Sequence, residues 1–215
     1  MKVESIRKLA GREEIDYPFL LSALANYANP RDKISAWLKS GDLIRVKKGL
    51  YVFGKEVALA PYSLEILANL IYGPSAISLS YALAFYGLIP ERVTTVTSIT
   101  NKRNKTFSTP IGEFTYQYLN TTKYPIEIEL AHYEKQNHFL IASVEKALCD
   151  HIHLADRNVS LTTLDEIEHY LLADLRIDES ALQSLRIGKL HMISQAYDDM
   201  RLVLLKNYIK KRKLR

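Results

Sequence analysis

The sequence predicts an α+β fold: three short N-terminal helices closed by a β-hairpin, then a larger mixed α/β domain with a mainly antiparallel sheet and a helical C-terminal part. Three observations predict it. Apolar residues recur at helical spacing through residues 1–40 and switch to alternation across residues 43–53. Strand-like runs follow at residues 93–99, 114–119, 126–133 and 138–141. From Thr163 onward the spacing is helical again.

In the N-terminal segment, Val3, Ile6 and Leu9 form one apolar stripe of a first helix. Asp16 offers an N-cap carboxylate to a second helix, which buries Leu20, Leu21 and Leu24 and ends near Asn26. Asn29-Pro30 supplies a capping side chain and then a proline at the first helical position, where the missing N–H has no intrahelical acceptor anyway. The third helix is predicted over residues 30–40, with Gly41 as its left-handed stop. Ile34, Trp37 and Leu38 fall within about 100° of arc on that helix and face the core. Asp32, Ser35, Ala36, Lys39 and Ser40 take the opposite face, flanked by Arg31 and Lys33. Residues 43–46 and 50–53 read as strands joined by Lys47-Lys48-Gly49.

Three helices and a hairpin with a basic tip are the layout of a winged helix-turn-helix, predicted for residues 1–54. The outer face of the third helix is short, small and basic, which suits a DNA major groove. The expected DNA-binding residues are therefore Arg31, Lys33, Ser35, Lys39, Arg45, Lys47 and Lys48. Asp32 interrupts that face; it either accepts the Asn29 backbone N–H or accepts from a cytosine amino group. The alternative reading of the same module is a protein-interaction fold.

Residues 55–60 read as a linker into a second domain, residues 55–215, with a sheet-containing part to about residue 157 and a helical part over residues 158–215. Helices are predicted over residues 61–72 and 78–86, and Ser143 caps another that reaches about Asp156. A long final helix runs from about Lys189 into the tail. Ile126, Ile128 and Leu130 alternate with Glu127, Glu129 and Ala131, so one face of that strand should meet the core and the other water. Asn101-Lys102-Arg103-Asn104-Lys105 reads as a polar hairpin tip.

Several stretches occur together in a recognisable order: Arg45-Val46-Lys47-Lys48-Gly49-Leu50-Tyr51, Ala76-Ile77-Ser78-Leu79-Ser80-Tyr81-Ala82-Leu83 and Tyr86-Gly87-Leu88. Thr97-Ser98-Ile99-Thr100, Gly112-Glu113-Phe114-Thr115-Tyr116 and Ile141-Ala142-Ser143-Val144-Glu145-Lys146-Ala147-Leu148 follow. Over residues 16–155 the chain resembles the AbiEi family of antitoxins and repressors of type IV toxin–antitoxin operons. Tyr86 and Val144 depart from the family pattern, standing where a histidine and a proline are expected. The resemblance implies a repressor of its own operon, a partner gene for a nucleotidyltransferase-like toxin, and a second domain that counteracts that toxin.

Charge agrees with a polyanionic partner. Residues 1–53 hold ten Lys/Arg against six Asp/Glu, and the last ten residues hold six basic side chains and no acid, so two basic ends flank an acidic middle. Accessory phosphate contacts are expected from Lys102, Arg103, Lys105, Lys210, Lys211 and Arg212; a solvated surface is the competing reading of the tail. A single cysteine excludes a disulfide framework and a multi-thiolate zinc site. No stretch reaches the ~18 uninterrupted apolar residues of a membrane span, so the expected location is the cytoplasm, with no membrane partner.

The chain carries no H-E-x-x-H, G-x-S-x-G, G-x-x-x-x-G-K or G-x-G-x-x-G motif. In Cys149-Asp150-His151-Ile152-His153, with Asp156 beyond, the two histidines point about 200° apart on a helix and cannot share a metal. Asp198-Asp199, adjacent on the last helix, diverge in the same way. Tyr81, Tyr116 and Tyr118 are assigned to core packing rather than to stacking on bases. No catalytic residue, metal or cofactor is expected. The leading expectation is a non-enzymatic repressor and antitoxin that binds double-stranded operator DNA and opposes a toxin. The alternatives are a nucleic-acid-targeted enzyme that uses the N-terminal module for recruitment, and a protein-interaction adaptor.

Overall fold

The computed structural model describes residues 2–133, 137–154 and 161–214. The chain begins with α1 (Val3–Ala10), β1 (Glu14–Asp16), α2 (Tyr17–Ala23) and α3 (Pro30–Ser40), then the hairpin strands β2 (Leu43–Lys47) and β3 (Leu50–Phe53). Asp16 caps α2, accepting the Phe19 N–H at 2.8 Å. Pro30 opens α3 and Gly41 closes it at φ +81°, but the Asn29 side chain makes no capping bond. Helix α2 stops at Ala23, short of Asn26. The hairpin gains a third strand, because β1 pairs antiparallel with β3 to give the order β1-β3-β2. Strand β1 has no sequence signal: it is three residues long and two of them are carboxylates.

Every residue of β3 is buried. Tyr51 and Phe53, with Leu43, enter a small core beside Ile6, Leu20, Leu24, Ile34 and Trp37. Leu50 and Val52, with Val46, belong to the main core of the molecule. Side-chain alternation thus divides the hairpin between two cores. The segment expected to be a linker is tied down by two buried carboxylates. Glu13 accepts from the Leu59 N–H (3.0 Å), the Ala60 N–H (2.8 Å) and the Arg7 guanidinium (2.5 Å). Glu14 accepts from the Ser63 N–H at 2.6 Å.

Beyond it come α4 (Leu64–Ile71), β4 (Ser75–Ile77), α5 (Leu79–Phe85), β5 (Val96–Thr100), β6 (Lys105–Thr109), β7 (Gly112–Tyr118), β8 (Ile128–Tyr133) and β9 (Asn137–Ala142). Strands β4 to β9 form one six-stranded sheet of order β6-β7-β5-β4-β9-β8. Its pairings alternate: β6–β7, β5–β4 and β9–β8 are antiparallel, while β7–β5 and β4–β9 are parallel. The sheet is therefore mixed, with three antiparallel pairings and two parallel ones. Strands β4 and β6 carry no clear alternation signal and have no counterpart among the strands expected from the sequence. Because β7 lies between β5 and β6, residues 101–104 are not a hairpin tip but a connection passing the end of β7. The Asn104 Oδ1 secures that passage by accepting the Tyr118 N–H at 2.7 Å. Leu130, expected in the core, is 54% exposed opposite Leu140, because β8 is the sheet's edge strand.

The C-terminal part contains α6 (Val144–His153), α7 (Leu164–His169), α8 (Glu179–Ser184), α9 (Ile187–Tyr197) and α10 (Met200–Lys213). Ser143 caps α6 through the Lys146 N–H; the expected end near Asp156, the boundary near residue 157 and Arg215 lie outside the described residues. The single long helix expected from Lys189 is two helices. Asp198 breaks it at φ +50°, and Asp199 starts α10 by accepting the Arg201 N–H at 3.0 Å. Burial pushes the Asp199 carboxyl up, but hydrogen bonds from Arg201 and His153 outweigh it and hold the group at about 2.

A polar knot joins these layers. Lys146 and Asp150, both fully buried, pair at 3.2 Å. Ser78 donates to Asp150 at 2.6 Å, Tyr197 donates to it as well, and Lys146 reaches the Tyr197 hydroxyl (2.5 Å) and the Lys123 carbonyl (3.2 Å). Among the described residues, no helix is long and apolar enough to cross a membrane.

Candidate nucleic-acid interface

Helix α3 turns Ile34 and Trp37 into the small core and leaves Arg31, Asp32, Ser35, Ala36, Lys39 and Ser40 exposed. Lys33 is half-buried, with its ammonium over the Trp37 ring at 5.5 Å from its centre. Arg45, on the exposed side of β2, lies 5.9 Å from the centre of the Tyr51 ring. Lys48 stands exposed in the two-residue turn, where Gly49 adopts φ +87°. Lys39 and Arg45 line one open recess of about 510 Å³ with Leu38, Gly41, Leu43, Ile44 and Pro110 of the β6–β7 turn.

Lys47 departs from its expected place at the tip. It is the last residue of β2 and half-buried, and its ammonium donates to the Ile71 carbonyl at the end of α4. Burial lowers its pKa, and Lys105 and Lys102 lower it further. The fold therefore gathers three lysines that are up to 58 positions apart in the chain. Lys102 donates to the Gly73 carbonyl and sits 5.5 Å from the centre of the Tyr72 ring. Lys105 sits 5.7 Å from the same ring and 5.1 Å from that of Phe107. Arg103 is exposed beside them. Among the described residues none of Lys47, Lys102, Arg103 and Lys105 forms an ion pair.

The tail behaves differently from a free basic arm. Leu202, Leu205, Tyr208 and Ile209 bury one side of α10. Arg212 bridges Glu168 and Glu179, the latter at 2.8 Å, so its guanidinium is held by carboxylates rather than left for phosphate. Lys210 and Lys211 are exposed. Sequence reasoning also missed Tyr118, which is 51% exposed while Tyr116, two residues earlier on the same strand face, is 1% exposed. Tyr118 closes β7, and the strand end carries it past the cover that α4 gives Tyr116 through the Ala68 carbonyl.

Among the described residues, no group of three or more His, Cys, Asp and Glu could hold a metal ion. Cys149 is buried, which pushes its thiol up and away from the reactive thiolate. His153 pairs with Asp199 at 2.7 Å. His151, on α6, contacts the Tyr170 hydroxyl just beyond α7 (3.0 Å) and the Ser80 hydroxyl on α5 (3.2 Å), and burial lowers its pKa, favouring the neutral imidazole. No protein-family model matches the chain, and none of the curated proteins matches it.

Proposed function

We propose that the protein is a DNA-binding transcriptional repressor in which residues 1–54 work as a winged helix-turn-helix. One observation carries this reading: the order α1-β1-α2-α3-β2-β3, with strands arranged β1-β3-β2, presents Arg31, Ser35, Lys39, Arg45 and Lys48 together on α3 and the hairpin. In this reading α3 lies in the major groove. Ser35 and Lys39 meet base edges, and Asp32 accepts from a cytosine amino group. Arg31, Arg45 and Lys48 fix the register on phosphates, and Lys33 adds charge at the flank. Repression then needs no chemistry, only occupation of the promoter. The family resemblance extends the proposal to control of the protein's own operon and to an antitoxin role against a nucleotidyltransferase-like toxin.

Gel shifts of the full chain on its own promoter fragment at several salt concentrations test the reading. The triple variant Lys39→Ala, Arg45→Ala, Lys48→Ala should bind more weakly. Its log–log salt slope should flatten by about 0.9 for each phosphate no longer neutralised. Unchanged affinity and slope in a folded triple variant would remove α3 and the hairpin from the interface.

A further inference from the structure

A recess opens beside the end of β7. It is an open recess of about 590 Å³, lined by Tyr72, Asn101, Lys102, Arg103, Asn104 and Tyr118. Two aromatic rings, two amides and two cations line it, and among the described residues no carboxylate does. That volume falls within the range of small-molecule sites, which span about 300–1,000 Å³. We propose that this recess binds a nucleotide unit, with the base stacked on Tyr118 and the phosphate held by Lys102 and Arg103.

Three features support the assignment. The first is charge. Lys102 and Lys105 lie over the Tyr72 ring and Lys47 donates to the neighbouring Ile71 carbonyl, with no carboxylate partner among the described residues. The charges of Lys105 and Lys102 add to the burial that lowers the Lys47 pKa. A phosphate placed there relieves that repulsion, as it does at other cation clusters. The second is the exposed ring. Tyr118 stands 51% exposed at the mouth of the recess, beside an aromatic group of Tyr72, Phe107 and Tyr116 that already satisfies its own packing. A base stacked on an aromatic side chain gains roughly five- to a hundredfold in affinity.

The third is pre-organisation. The Asn104 Oδ1 is fixed by the Tyr118 N–H at 2.7 Å, and the Lys102 N–H bonds the Thr100 hydroxyl at 3.2 Å. Asn104 keeps its amide N–H₂ group as a donor, the kind of group that reads a base edge. The nucleotide unit has two sources, a free nucleoside phosphate or an unpaired stretch of a nucleic-acid strand, and the chemistry of the recess is the same for both. The site makes no use of α3, so it stands or falls independently of the operator reading.

Calorimetric titration of the full-length chain with the four nucleoside 5′-monophosphates, a short single-stranded oligonucleotide and inorganic phosphate tests the proposal. Nucleotides or the oligonucleotide should bind more tightly than inorganic phosphate. Tyr118→Ala should weaken nucleotide binding at least fivefold and leave inorganic phosphate unaffected, while Tyr118→Phe should retain the nucleotide affinity. The double variant Lys102→Ala, Arg103→Ala should weaken nucleotides and inorganic phosphate alike. Tighter binding of the oligonucleotide identifies a strand as the source, and tighter binding of a monophosphate identifies a free nucleotide. Duplex binding through α3 should survive Tyr118→Ala, which separates failure of this proposal from failure of the operator reading. Absence of nucleotide binding at millimolar concentration, or equal nucleotide affinity in Tyr118→Ala and the unaltered chain, would overturn it.

Discussion

Lys146 and Asp150 have no access to solvent, yet both carry ionisable groups. Burial lowers the Lys146 pKa and raises that of Asp150, and their pairing opposes both shifts. Such a pair adds little stability over an apolar substitute of similar shape, but removing one partner leaves the other buried and unmatched. Asp150→Ala should therefore cost about 3–5 kcal/mol, read as a lower denaturant midpoint with an unchanged slope. The double variant Lys146→Met, Asp150→Leu should recover much of that loss. If the single and double variants unfold at the same midpoint, the pair is not the source of the cost. Its members came from the sequence as a helix beginning at Ser143; their meeting with Ser78 and Tyr197 did not, because no local pattern marks an approach across 47–72 positions.

At the scale of elements, α3 illustrates what local chemistry reveals. Proline at its start, glycine at its end and the Ile34–Trp37 spacing all act within a few residues, and the helix lies where they put it. Strand β4 illustrates the opposite. It sits at the middle of the large sheet, yet it is three residues long and follows Gly73-Pro74, a pair that reads as a break. Strand β6 is Lys-Thr-Phe-Ser-Thr, with one apolar side chain, and it too is set by its neighbours. The proposed interface divides along the same line. Individual basic side chains on α3 and the hairpin were legible, whereas the approach of Lys47 to Lys102 and Lys105 depends on how two sheets meet. The seam at the end of α3 is sensitive in its own right: a Cβ on Gly54 would lie 1.8 Å from the Gly41 carbonyl oxygen, backbone against backbone. Gly54→Ala should push the α3 terminus off the end of β3 and cost about 2 kcal/mol or more, with DNA affinity falling in the folded fraction. A variant with native melting temperature and native affinity would show that the seam yields freely.

Across the whole molecule, the hairpin serves two cores, so the N-terminal module is not closed by its own residues. An isolated fragment of residues 1–54 would bare Val46, Leu50 and Val52 and strip Glu13 of the Leu59 and Ala60 N–H groups. The fragment should lack the sharp melting transition of the full chain, since a module this small has little core to lose. A cooperative melt and well-dispersed amide resonances from residues 1–54 would contradict this. The same sharing bears on when the protein becomes competent during its synthesis. Ile77 pairs with Ile141, and Asn69 bonds Leu140 across 71 positions, so the large sheet closes only after most of the chain has emerged. Until then the core that takes Val46, Leu50 and Val52 is incomplete. If residues 1–54 read DNA as proposed, a nascent chain still on the ribosome carries that surface unfinished, and the later-made part of the polypeptide sets the moment at which the first-made part is ready to engage an operator.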